Sequence, residues 1–201
     1  WFALDGRRVL DAASRWREGG DPYAILGYRY SPVATLLAVP GSLLPPPMAI
    51  AGWLAVSAAI AVACVAVAAR GYALWRVALG IVGVILYPPL LADLALANVT
   101  VTLVAGMWLV VRRDSVLHGV PLGIVAAASP KPMVLAFLLW ALLWRPRATA
   151  GAAVAGLFAS VGALALAGPE AYGAFLRQLA HGNVVHQAGV DVGHRQRYRE
   201  D

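Results

Sequence analysis

Residues 48–69, "MAIAGWLAVSAAIAVACVAVAA", run for 22 positions without a charge. As a helix rising 1.5 Å per residue this stretch is about 33 Å long, enough to cross the roughly 30 Å hydrocarbon core of a bilayer. Residues 148–168 form a second uncharged run of similar length. A backbone crossing a bilayer must satisfy its own hydrogen bonds, so a chain built from such runs folds as helices. The remaining sequence agrees, with 61% hydrophobic and 13% charged residues, where a soluble domain carries about a quarter charged. The expected fold is all-α: a polytopic transmembrane helix bundle whose extracytoplasmic first loop carries an interfacial helix. The net charge of +6 comes mainly from arginines at the ends of apolar runs and in the tail. That placement serves orientation among membrane lipids and argues against a nucleic-acid partner.

Three regions follow from the pattern. Residues 1–31 form the extracytoplasmic loop with its amphipathic helix. Residues 32–168 form the transmembrane region, with spans or hairpins near 32–47, 48–69, 76–111, 117–144 and 148–168. Residues 169–201 form a polar C-terminal loop or tail. The chain opens at Trp1 with no methionine and no signal-like segment, so a piece of a longer protein is expected. Cys64, the single cysteine, lies in an apolar run and reads as a small core residue. Ala152, Gly156 and Ser160 have small-xxx-small spacing, which suits close helix contact.

The stretches 76–113 and 117–147 are each too long for one crossing and short for two, and each is broken by proline: Pro88-Pro89 in the first, Pro130 and Pro132 in the second. Proline removes a backbone donor, so helix breaks belong there, and each stretch reads as a hairpin of short helices. Arg70 and Arg76, Arg112 and Arg113, and Arg145 and Arg147 flank the runs, with Trp75, Trp108 and Trp144 as interfacial anchors; the positive-inside rule places them in the cytoplasm. Counting 14 residues back from Arg112 and from Arg145 reaches Asn98 and Lys131, each about 21 Å above that face. The two polar groups should share one depth near the outer side. Residues 32–47, short and proline-rich, are expected to dip into the membrane and return. A full crossing would invert every later element.

Lys131 is the only lysine in the chain, in a run with no other charge from His118 to Arg145. A cation at such depth is expensive and is by default a functional candidate. It waits for an anionic ligand or pairs with Asp93 on the neighbouring tip.

Ahead of the spans, Val9, Leu10, Ala13 and Trp16 face one way on a helical wheel, Arg7, Arg8, Arg15 and Arg17 largely the other, and Gly19-Gly20 ends the pattern; this is a helix for a membrane surface. Asp5 is expected just before it, as a cap or a catalytic carboxylate, and Asp11 within it. An aspartate seven residues from Ala12-Ala13, then "GGDPY", then "YRYSP" leading into "LLAVPGSLLP", resembles the first extracytoplasmic loop of the GT-C glycosyltransferases. It is most similar to bacterial family 87, the polyprenol-phosphate-dependent mannosyl- and arabinosyltransferases, and the likeness runs through Asn98, Arg112-Arg113 and Lys131-Pro132 over about residues 1–180. Val9 stands where that family usually has an aromatic residue, and Ala95-Leu96 where it usually has Gly-Gln.

The resemblance implies a multi-pass enzyme of the bacterial plasma (inner) membrane. It would move mannose or arabinofuranose from a polyprenyl-phosphate donor to a hydroxyl of a lipid or glycan acceptor on the outer face, with inversion. Asp5 would be the general base, with Lys131, Asn98, Arg29, Tyr30 and Asp11 as substrate-binding candidates. The chemistry is self-consistent. One carboxylate takes the acceptor proton, while a phosphate leaves without an acid and needs a cation to meet its charge. No cofactor is expected; a divalent metal has an opening at Asp5 with Asp11, because some GT-C relatives use one with acidic loop residues. His118, His181, His186 and His194 have no ligand partners at metal spacing. Asn98-Val99-Thr100 matches a glycosylation sequon but is discounted inside an apolar run. Asn98 also reads as a group that satisfies a broken helix end, and Arg29 and Tyr30 as interfacial anchors. The rival readings are a secondary transporter or permease, whose broken helices would carry a midplane site, and an inactive fragment of a membrane protein.

Overall fold

A computed structural model describes residues 4–25 and 28–197, with the side chains of Val84, Ile85, Pro89, Leu90 and residues 181–197 outside the description. The chain is all-helical among the described residues: α1 (Leu4–Arg17), α2 (Pro32–Ala38), α3 (Pro46–Ala68), α4 (Leu74–Ile85), α5 (Pro88–Leu96), α6 (Thr100–Arg112), α7 (Val116–Ala128), α8 (Pro132–Trp144) and α9 (Pro146–Arg197). Five of these begin on proline, whose fixed φ suits the first helical position and whose missing N–H is not needed there. Among the described residues two helices, α3 and the part of α9 up to Ala180, are long and apolar enough to cross a membrane. Helices α6, α7 and α8, of 13 residues each, are about 20 Å long. Leu74, Leu117, Leu143 and Phe158 stand at least 73% exposed, an apolar surface suited to lipid and not to water.

The packing centre is the seam between α7 and α9. A Cβ added at Gly119 would lie 1.8 Å from the Ala148 carbonyl oxygen, and one at Gly123 would lie 2.1 Å from that of Ala152. Backbone therefore rests on backbone, and Ala152 and Gly156 of the small-residue stripe form half of the seam. Leu103, Val110, Leu122, Val134 and Ala141 complete the core among α6, α7 and α8.

At Gly168 the backbone takes φ 79°, ψ 164°, a region essentially open only to glycine. The chain turns back there: the Tyr172 hydroxyl donates to the Ser160 carbonyl at 3.0 Å, and Phe175 packs beside Tyr23. Beyond the turn α9 stays helical to Arg197 through the stretch expected as a polar loop or tail. The side chains of His181, Asn183, His186 and His194 lie outside the described residues.

Both expected hairpins differ in detail. The first contains three helices, because the chain breaks at Pro88 and again at Ala97–Val99. In the second, α7 packs on α9 and α6 while α8 leans on α9 and α6. The two legs meet mainly through their turn, because the glycine face of α7 is already taken by α9. Residues 32–47 start and finish at one end of the bundle. Ser31 bonds to the C-terminus of α7, and Trp53, near the start of α3, bonds to Asn98. At the opposite end Arg145 donates to the Val111 carbonyl at 3.0 Å and the Asp114 carboxylate caps α9 at the Ala148 N–H, 2.9 Å away.

Candidate active site

Three turns meet at one end of the bundle. The first is the C-terminus of α5, where Ala97 adopts φ 53°, ψ 46°. Among the described residues it is the only non-glycine with positive φ, a conformation that costs about 1–3 kcal/mol. It aims the next residue, Asn98, into the junction. Asp93 supports the turn twice: its carbonyl accepts from the Asn98 N–H (3.0 Å), and its carboxylate accepts from the Val101 N–H (3.3 Å) at the α6 N-terminus. The α3 residue Trp53 donates its indole N–H to the Asn98 carbonyl at 3.3 Å.

The second is the α7–α8 turn. A helix ends with unpaired carbonyls, and Pro130 and Pro132 bring no N–H to meet them. Ser31 supplies the donors, its N–H to Ala128 O at 3.1 Å and its hydroxyl to Ala127 O. This anchor seats Tyr30 beside the turn and leaves Lys131 at the start of α8. The Lys131 Nζ donates to Asn98 Oδ1 at 3.1 Å and to Thr100 Oγ1 at 2.6 Å.

The third is the first turn of α1. Asp5, expected just ahead of the helix, lies inside it, where a carboxylate also complements the helix dipole. Its Oδ2 accepts from Asn98 Nδ2 at 3.2 Å, and its Oδ1 lies 3.8 Å from Arg8 Nη1. A carboxylate and an ammonium are thus held by the two ends of one amide. The amide orientation follows from its partners: Oδ1 accepts from Lys131, from the Val99 N–H at 2.7 Å and, at 3.5 Å, from the Tyr30 hydroxyl, whereas only the NH₂ can donate to Asp5. Partial burial pushes the Asp5 carboxyl above its ordinary value; Arg8 and then Lys131 oppose this, and Asp93 adds to it.

Asn98 and Lys131 therefore share a level, as the residue count predicts, and Tyr30 and Asp5 join them. Asp11 does not. It is exposed on α1, six residues and about 240° round the helix from Asp5, so the two carboxylates do not converge on one cation. Arg29 is exposed next to Tyr30. Lys131 forms no ion pair with Asp93 among the described residues, because that carboxylate is turned to the α6 N-terminus. Among the described residues no three His, Cys, Asp or Glu side chains gather as metal ligands. Thr100 was hidden in the sequon, whose two polar residues instead hold Lys131. Below the Lys131 turn an apolar groove of about 440 Å³ opens between α7, α8 and α9, lined by Ala126, Ala127, Leu138, Leu142 and Leu157 among others.

An all-helical membrane-type bundle with a carboxylate, an amide and a cation at one end fits the class of membrane glycosyltransferases. The pattern defining glycosyltransferase family 87 matches residues 28–192, more than half of the chain, and the chain belongs to that family. The match takes in Tyr30, Asn98, Thr100 and Lys131 and begins after α1, so it does not extend to Asp5 and Asp11. No curated protein and no solved structure matches the chain. Family membership, with α3 and α9, makes this an integral membrane protein.

Proposed function

We propose that this glycosyltransferase takes mannose or arabinofuranose from a polyprenyl-phosphate donor and transfers it, with inversion, to a hydroxyl of a lipid or glycan acceptor. The enzyme works at the outer face of the bacterial plasma membrane, with its helices crossing several times and its arginine-bearing end in the cytoplasm. Asp5 removes the proton of the acceptor hydroxyl. The hydroxyl oxygen forms its bond to the anomeric carbon as the bond from that carbon to the phosphate oxygen breaks, and the polyprenyl phosphate leaves with the electron pair. Lys131 has three donors and spends two on Asn98 and Thr100; the third meets the phosphate.

The observation that carries this reading is the chain Asp5–Asn98–Lys131. An inverting displacement needs its base and its leaving-group cation on opposite sides of the reacting carbon, and one amide with its two hydrogen bonds gives that separation. Burial raises the Asp5 carboxyl above its ordinary value, which makes its carboxylate a better base than an ordinary one. The apolar groove beneath the Lys131 turn suits an isoprenoid chain whose phosphate stops at that turn.

The test is transfer from a radiolabelled polyprenyl-phosphate sugar by the full-length protein in membranes. Asp5→Asn is expected to lower kcat by about 10²- to 10⁴-fold, the usual contribution of a general base. Lys131→Ala, which removes a charge-assisted contact, should raise the donor KM roughly 10- to 100-fold. Undiminished transfer by Asp5→Asn would remove the proposed base.

A further inference from the structure

Beside the Asn98–Asp5 hydrogen bond, the first turn of α1 makes a close apolar approach to the α5–α6 turn. A Cβ built on Gly6 would stand 2.7 Å from the Cβ of Ala97, well inside van der Waals contact. The residues on either side of that point are the two partners of the carboxylate–amide bond: Asp5 precedes Gly6, and Asn98 follows Ala97. Ala97 is 6% exposed and clusters with Ile50, Trp53 and Leu54 of α3, so its methyl has α3 behind it. Glycine would relieve the backbone at position 97, but it would remove the surface on which α1 rests.

We infer that Gly6 and Ala97 are a positioning pair: the methyl of one seated on the bare α-carbon of the other sets how far Asp5 stands from the Asn98–Lys131 unit. The inference rests on Asp5 being the base. A side chain at position 6 must restore ordinary contact by lifting the start of α1, by about 1 Å. The bond from Asn98 Nδ2 to Asp5 Oδ2, already 3.2 Å, then passes out of hydrogen-bond range. Lys131, Asn98 and Thr100 are linked without help from α1 and stay in register.

The experiment is Gly6→Ala in the full-length protein, with kcat, donor KM and membrane accumulation measured together. Alanine is a better helix former than glycine, so α1 itself persists. A misplacement of about 1 Å lowers kcat by roughly 10- to 100-fold, with the donor KM within about twofold of wild type. Two second changes should recover kcat in the Gly6→Ala background: Ala97→Gly, which clears the contact, and Asp5→Glu, whose added methylene spans the widened gap. Wild-type kcat in Gly6→Ala, a loss that neither second change recovers, or a loss that merely follows reduced accumulation would overturn the proposal. Loss of transfer in Asp5→Asn beside normal transfer in Gly6→Ala would sink the spacer alone. Normal transfer in Asp5→Asn would sink the catalytic reading itself.

Discussion

Two glycine contacts organise this chain, and they do different things. Along the α7–α9 seam, Gly119 and Gly123 let backbone meet backbone with no polar side chain involved. At the α1 contact, Gly6 meets one methyl group, and polar side chains close around it from three turns. The first joint runs over about two helical turns of α7 and holds α7 to α9. The second is one methyl contact beside a hydrogen-bonded carboxylate. On the proposed roles of Asp5 and Gly6, architecture and reactivity are set by different contacts, and each can be disturbed while the other is watched.

The largest expected effect on stability alone lies in the seam. Gly119→Ala puts a methyl group where a carbonyl oxygen already stands, and overpacking of this kind costs about 1–3 kcal/mol or more. It should lower the thermal midpoint of the detergent-solubilised enzyme, with kcat of the folded fraction retained. A proportional loss of kcat would mean that the seam and the site are mechanically coupled. Thr100→Val is a smaller disturbance on the site side, removing one of two acceptors of Lys131; a donor KM raised roughly 2- to 10-fold is expected, matching one hydrogen bond. An unchanged KM would make Thr100 dispensable to the cation.

The smallest effect is a change in pH dependence. Only ionised Asp5 can accept a proton, so kcat/KM falls as pH drops through its carboxyl pKa, and burial has moved that limb above the ordinary carboxylate range. Arg8 is the larger of the two cations that lower this pKa. Arg8→Ala should therefore shift the acid limb to higher pH, leaving the plateau and the thermal midpoint nearly unchanged. A shift in the opposite direction would show that the limb belongs to another group.

Much of the frame was legible in the sequence because bilayer physics is local. Uncharged length identified α3 and the first part of α9, proline marked the breaks, and counting from the arginines placed Asn98 and Lys131 at one level. The resemblance to family 87 supplied the class of enzyme. What stayed hidden depends on contacts between distant segments. Nothing in "LANVTV" announces that Ala97 takes a left-handed conformation or that Thr100 faces a lysine 31 residues on. Nothing near Ser31 says that it will satisfy the carbonyls of Ala127 and Ala128. The alternative pairing of Lys131 with Asp93 is not formed, because the Asp93 carboxylate accepts from the Val101 N–H at the α6 N-terminus, and hydropathy cannot see that choice. Asp11 stands exposed and turned away from the Asp5 junction, a separation in angle that became visible once the face that α1 buries was known.

The reversal at Gly168 has a mechanical meaning for the loop. It delivers Phe175 to Tyr23, while Ser31 holds the other margin of the loop to α7, so the segment bearing the candidate base is fastened on two sides by parts of the chain made much later. A nascent chain cannot complete these two attachments until its far helix has emerged and folded back.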